Sequence, residues 1–174
     1  MAKEIEYKFL VDKDLFMKEE NKTKYLHSRQ GYFDIADESV SSFRIALIDH
    51  FYPQKWSDAI LNIKGKRIGA SRTEVETELK YEEGQQLFNM TKHRVEKDRY
   101  KVPAKASVDG LKWEVDIYYE DNFPLAIAEL EVPDENVTFE KPEWVLEDVT
   151  SKDIFYNAEL AKHPYKDWGS VNWM

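Results

Sequence analysis

The chain predicts a mainly β domain, α+β in class, with about eight antiparallel strands and a few helices, most of them late. Three observations carry that expectation. Apolar and charged residues alternate with period two in one stretch after another. The stretches are mostly joined by short connections, which pair neighbouring strands antiparallel. Charge signs are sorted between strands, which a sheet with one wet face does not require.

The first ten residues set the pattern. Glu4, Glu6 and Lys8 point one way, while Ile5, Tyr7 and Phe9 point the other. At about 3.3 Å of rise per residue, the two carboxylates stand roughly 6–7 Å apart on one face, within reach of one cation or a pair. Residues 12–27 are polar and lysine-rich, and read as a short helix or loop. Residues 31–34 read as a second strand and 40–48 as a third, with Ser42, Arg44 and Ala46 opposing Phe43, Ile45 and Leu47. Residues 49–58 hold a proline and bulky aromatics, as a hairpin loop would. Residues 60–67 then put Asn62, Lys64 and Lys66 on one face.

The alternation is cleanest over 72–80, where Arg72, Glu74, Glu76 and Glu78 oppose Thr73, Val75, Thr77 and Leu79. Residues 82–92 read as a helix. Three more strands follow: 94–102 presents Lys97, Arg99 and Lys101; 112–119 presents Glu114, Asp116 and Tyr118; 125–132 presents Ile127, Glu129 and Glu131. Beyond Pro133, short helices are expected near 140–146 and 152–162. Such strands form either an open sheet with a wet polar face or a closed barrel with its charged face inward. Carboxylates concentrate on the first and late strands and bases on the middle ones, and this sorting points to a site.

The bulk properties exclude several classes. A chain of 174 residues makes one domain, 1–174, with a sizeable core. Its 34 acidic residues against 25 basic ones leave a net charge of −9, a field that repels nucleic acid and anionic membranes. The absence of cysteine removes disulfides, thiolate metal sites and thiol nucleophiles, and suits a reducing compartment. No run approaches a membrane span and no signal-peptide pattern opens the chain, so a soluble, cytoplasmic protein is expected. The four histidines (His27, His50, His93, His163) lack ligand spacing and read as surface residues.

Taken in order, these residues resemble the CYTH superfamily, the triphosphate tunnel metalloenzymes. Glu4-Ile5-Glu6-Tyr7-Lys8 is similar to its E-x-E-x-K signature, and Arg44 lies in the expected strand. Lys64-Gly65 followed by Arg72-Thr73-Glu74-Val75-Glu76 resembles its K-G and R-x-E-x-E. Lys97-Asp98-Arg99 resembles its K-x-R, and Trp113 to Asp116 its aspartate-bearing strand. Ala128-Glu129-Leu130-Glu131 resembles the late E-x-E, and Val149-Thr150, Tyr156-Asn157 and Leu160-Ala161 resemble the C-terminal helix segment. The likeness covers residues 4 to 161.

The resemblance implies an eight-stranded antiparallel closed β-barrel, a tunnel that hydrolyses a triphosphate with divalent metal. Glu4, Glu6 and Lys8 would then be catalytic. Lys8, Arg44, Lys64, Lys66, Arg72, Lys97 and Arg99 would bind the substrate phosphates. Glu4, Glu6, Glu76, Asp116, Glu129 and Glu131 would hold Mg²⁺ or Mn²⁺ through hard oxygens. Glu74 and Glu76 could equally pair with tunnel bases, and Tyr156 with Asn157 is expected to fix the helix rather than touch substrate. Like charges on Lys8, Lys97 and Arg99 facing one space are expected to repel in the empty protein.

One departure is Ala46, where many members carry a second arginine; it bears on which triphosphate is preferred. Inorganic triphosphate, a nucleoside triphosphate and thiamine triphosphate are the candidate substrates. A class IV adenylate cyclase and a non-catalytic polyphosphate-binding module are the alternatives. The oligomeric state stays open between monomer and homodimer, with no nucleic-acid or membrane partner expected.

Overall fold

The structure, a computed structural model, describes residues 5–66, 68 and 72–169. Its strands are β1 (Ile5–Val11), β2 (Thr23–Tyr32), β3 (Val40–His50), β4 (Trp56–Gly65), β5 (Glu74–Leu79), β6 (His93–Pro103), β7 (Lys112–Tyr118), β8 (Ala126–Val132) and β9 (Val145–Asp148). Every pairing is antiparallel, and the order across the sheet is β5-β4-β3-β2-β6-β7-β8-β1-β9. Among the described residues the backbone ladder is one row ending at β5 and β9. Among the described residues three α-helices accompany it, α1 (Lys13–Phe16), α2 (Tyr81–Asn89) and α3 (Asn157–Lys162), with short 3-10 turns besides.

The mainly β expectation holds, with three changes. The second strand is Thr23–Tyr32, not 31–34, so most of the stretch after α1 is strand rather than helix or loop. Its alternation sets Ser28 and Gln30 against His27 and Arg29, polar on both faces, so no apolar stripe announces it. Strands β3 and β4 run on to His50 and back from Trp56, shrinking the hairpin loop to 51–55. Near 145 the chain makes a ninth strand on the edge of β1 where a helix was expected.

Register assigns the faces. Glu6 opposes Glu131 and Lys8 opposes Glu129; Glu129 opposes Glu114, and Asp116 opposes Arg99. Lys97 lies beside Ser28, Gln30 beside Ala46, Arg44 beside Asn62, and Asn62 beside Glu76. All of these residues therefore share one face, here called the site face. The reverse face carries two cores. Phe9, Trp113, Val115, Ala128 and Leu130 pack with Phe16 and Trp144 beneath α1 and the 137–145 segment. Ile45, Leu47 and Ala59 pack against Phe88 of α2. Gly84 permits that second contact, because a side-chain carbon there would overlap the Ala59 methyl.

A third core lies on the site face at one end. Tyr32, Val95, Tyr118 and Ile127 are covered by Val149, Phe155, Leu160 and Trp168, so the C-terminal segment stoppers that end. Beyond this apolar stopper the charged face is itself enclosed. Lys97 is 3% exposed, Asp116 2% and Lys8 6%, whereas an open polar sheet face would leave such side chains in water. The inward-charged reading is the one the fold adopts. Among the described residues no helix is long and apolar enough to cross a membrane.

Candidate active site

Lys8, Lys97 and Asp116 form the buried centre of the site face, with half-buried Arg99, Lys101, Glu114 and Glu129 around them. Asp116 accepts from Lys97 Nζ at 2.6 Å and from Arg99 through two parallel bonds, Nε at 2.7 Å and Nη2 at 2.9 Å. Arg99 also meets Glu114 at 2.7 Å and Glu129 at 3.9 Å. Lys101 lies 3.6 Å from Glu114, and Lys8 lies 3.5 Å from Glu129. The cations of β6 face the carboxylates of β7, and Lys8 of β1 faces Glu129 of β8, while the adjoining strands β7 and β8 set Glu114 against Glu129.

These contacts set the proton affinities. Burial alone would raise the pKa of Asp116, but Arg99 and Lys97 reverse that and hold it far below the usual carboxylate range. Burial would lower that of Arg99, yet Asp116, Glu114 and Glu129 lift it well above its ordinary value. Lys97 goes the other way, its desolvation outweighing the attraction of Asp116. The expected repulsion among Lys97, Arg99 and Lys8 is thus countered by a carboxylate beside each of them.

Next to this centre is a cavity of about 490 Å³ lined by Glu6, Glu114, Glu129, Glu131, Asp109 and Lys112. Its carboxylates repel one another. The pKa of Glu6 is raised first by burial and then by Glu129, against the opposing pull of Lys8 and Arg99. Among the described residues no three acidic or histidine side chains already stand as a metal-ligand set. The donors are nonetheless hard oxygens whose mutual repulsion a divalent cation would relieve, so the residue set fits such an ion.

The wall made by β3, β4 and β5 is looser. Arg44 projects near the Tyr32 hydroxyl, and its buried Nε has no hydrogen-bond partner. Asn62 donates to Glu74 at 3.0 Å and to Glu76 at 3.1 Å, and Lys64 lies 3.6 Å from Glu74. Glu74 and Glu76 are exposed. Lys66 follows the end of β4 and is exposed, its amide bonded to Ser39, and Arg72 is exposed just before β5. Glu4 lies outside the described residues.

Among the described candidates, Glu6, Lys8, Arg44, Lys64, Glu76, Lys97, Arg99, Asp116, Glu129 and Glu131 thus share the site face. Lys66 and Arg72 sit in connections at its rim. Sequence reasoning ranked Glu114 below Asp116 and left it and Asn62 out of the site set, although strict alternation puts each on this face beside Asp116 and Lys64. The histidines are less superficial than expected: His27 bonds Asp98 and Glu96 on the reverse face, and His50 stacks on Trp56 at 3.8 Å.

No family model matches the chain. A curated relative does: the chain is 36% identical over 171 residues to an inorganic triphosphatase of Acetivibrio thermocellus, covering 97% of this chain and 99% of the relative. The solved inorganic triphosphatase NE1496 superposes with a TM-score of 0.67 at 26% identity, over 92% of this chain and 95% of that one. The Hippeastrum protein HpAC1, a candidate adenylyl cyclase with a dominant triphosphatase activity, shares the fold at a TM-score of 0.53 and 15% identity. That match covers 76% of this chain and 80% of HpAC1. The chain belongs to the CYTH superfamily, the triphosphate tunnel metalloenzymes, on its triphosphatase side.

Proposed function

We propose that this protein hydrolyses inorganic triphosphate to orthophosphate and pyrophosphate, using Mg²⁺ or Mn²⁺. The observation that carries the reading is the burial of Lys8 and Lys97, with half-buried Arg99 beside them, on one face that continues into a carboxylate-lined cavity. The cations are paired in the empty protein, but the crowded carboxylates of the cavity are costly until a divalent cation joins them, and a polyanion bridging that cation to Lys8, Lys97 and Arg99 would complete the set. The 36% identical relative is an inorganic triphosphatase, which supports the same substrate.

In this reading Lys8, Arg44, Lys64, Lys97 and Arg99 neutralise and align the phosphate chain, with Lys66 and Arg72 at its rim. Asp116 keeps Lys97 and Arg99 in place, since both of its oxygens are bonded to them. Glu6, Glu129 and Glu131, with Glu4 and Glu76, would hold the divalent ion. The ion, when bound, supplies charge neutralisation at the phosphate oxygens and acidifies a water. A water oxygen bonds to the terminal phosphorus as the bridging P–O bond breaks, and pyrophosphate departs. Glu6 and Lys8 face the reacting end.

The test is a product assay on purified protein with inorganic triphosphate, ATP and thiamine triphosphate, each with Mg²⁺, Mn²⁺ or chelator. Orthophosphate and pyrophosphate from inorganic triphosphate, lost with chelator, are expected. Cyclic AMP from ATP, or no cleavage of any triphosphate, would overturn the reading.

A further inference from the structure

Tyr156 is an aromatic left half in the open between two anchored neighbours. Phe155 before it is buried in the apolar stopper, and Asn157 after it accepts a hydrogen bond from the Tyr118 hydroxyl at 2.7 Å. Tyr156 itself is 46% exposed and makes no side-chain cap for α3. Its ring centroid lies 4.4 Å from the Lys8 ammonium. The same segment grips the Lys8 backbone: the Lys8 N–H donates to Thr150 Oγ1 at 3.0 Å, and the Val149 N–H donates to the Lys8 carbonyl at 2.8 Å. A chain stretch some 140 residues away is thus fastened to both the main chain and the charged tip of one lysine.

We infer that Tyr156 is a positioning residue that holds the Lys8 ammonium for the phosphate chain. The inference rests on the triphosphate reading above. The contrast with Lys97 gives the reason. Lys97 is fixed by Asp116, a full negative charge at 2.6 Å that competes with any incoming anion. An aromatic face attracts a cation through its quadrupole and adds no formal charge. Lys8 is therefore shared between the Tyr156 ring and one longer contact to Glu129 at 3.5 Å, and its positive charge is less fully engaged than that of Lys97. Tyr118 turns its ring toward Lys97 at 5.8 Å, farther off, where a carboxylate already does the holding.

The experiment compares parent, Tyr156→Leu and Tyr156→Phe in three measurements: KM and kcat for inorganic triphosphate, melting temperature, and the proton shifts of the Lys8 ε-methylene. Leucine keeps the bulk without the π face; phenylalanine keeps the face without the hydroxyl. Tyr156→Leu should raise KM roughly five- to tenfold with kcat within about twofold and little change in melting temperature. Tyr156→Phe should recover the parent KM. The upfield ring shift on Lys8 should be present in parent and Tyr156→Phe, and absent in Tyr156→Leu. An unaltered KM in Tyr156→Leu, or equal impairment of both variants, overturns this role while the parent's cleavage of triphosphate keeps the functional reading. A parent that neither binds nor cleaves triphosphate overturns both.

Discussion

The two walls of the site face use charge differently. On β1, β6, β7 and β8 the central groups are buried or half-buried and paired: Asp116 takes Lys97 and Arg99, Glu114 takes Arg99 and Lys101, Glu129 takes Lys8. On β3, β4 and β5 the groups are partly or fully exposed, an asparagine bridges two glutamates, and Arg44 keeps an unpartnered Nε. Both walls are charged, but the centre of the first has its cations paired with carboxylates, while Glu6 at its edge stands among carboxylates that repel it. The first wall is therefore a rigid electrostatic frame. The second has hydrogen-bonding capacity left for a ligand. A residue of the first wall should couple activity to stability, and one of the second should not.

The largest effect is expected from breaking the frame. Asp116→Ala leaves Lys97 and Arg99 enclosed without their shared carboxylate, and removal of one partner from a buried pair costs about 3–5 kcal/mol. Urea unfolding should show that loss, and turnover should fall with it. A loss below about 1 kcal/mol would mean that the two cations find Glu114 or Glu129 at no penalty, and the frame would be no frame.

The second effect separates activity from stability within the same wall. The pKa of Glu6 is raised in the fold by burial and by Glu129, so ionising it at neutral pH works against folding. Glu6→Gln removes that charge. Without metal the variant should melt no lower than the parent, and higher if the repulsion dominates. With Mg²⁺ or Mn²⁺ its triphosphate turnover should fall by at least about 100-fold, because an amide is a poor partner for a hard cation. Near-parent rates at saturating metal would remove Glu6 from the proposed ligand set.

The third prediction sets the walls against each other. Arg44→Ala should raise the KM for triphosphate about tenfold and change stability by less than about 1 kcal/mol, since its Nε has no partner to lose. Arg99→Ala should lose activity and stability together, because it strands Asp116 and Glu114. The bare count of like charges on Lys8, Lys97 and Arg99 had suggested relief on removing one; the carboxylates beside them reverse that expectation. If both variants lose the same stability, the distinction between the walls fails.

The same contrast explains what could be read in advance. Strands whose reverse face packs into a core alternate openly, as Glu6, Lys8 and Phe9 do, so β1, β3, β4 and β6 to β8 and their inward charges were legible from period two; β5 was legible from its clean alternation although its Val75 is exposed. Strand β2 was not, because His27 and Arg29 on its reverse face are polar and bonded to Asp98, Glu96 and Tyr81 instead of packed. Strand β9 has four residues and takes its identity from the edge of β1, a tertiary fact without a local signal. Which base meets which carboxylate depends on register. That hides the sharing of Asp116 by Lys97 and Arg99, and of Glu74 and Glu76 by Asn62, from any reading of one strand at a time.

The smallest effect is expected on the reverse side of β2, the strand that joins the two walls. His27 lies between Asp98, 2.7 Å from its Nδ1, and Glu96, 2.9 Å from its Nε2. An imidazolium can donate to both. The hydrogen bond to Asp98 raises the His27 pKa over the opposing effect of burial. Burial would raise the pKa of Asp98, but its bonds to His27, Tyr119 and Lys24 bring it down to about 2. Because the folded His27 holds its proton more tightly than an unfolded histidine, its contribution is complete below about pH 6.5 and fades as pH rises through the raised value. His27→Gln should therefore cost about 0.5–1 kcal/mol at pH 6, allowing for partial solvent screening, and much less at pH 9. Triphosphate turnover at fixed pH should stay at the parent level, since the ring faces away from Lys97 and Arg99. An equal stability loss at both pH values would assign the effect to packing. A fall in turnover matching that of Arg44→Ala would show that the two faces of β2 are not independent, and that the frame reaches through the strand.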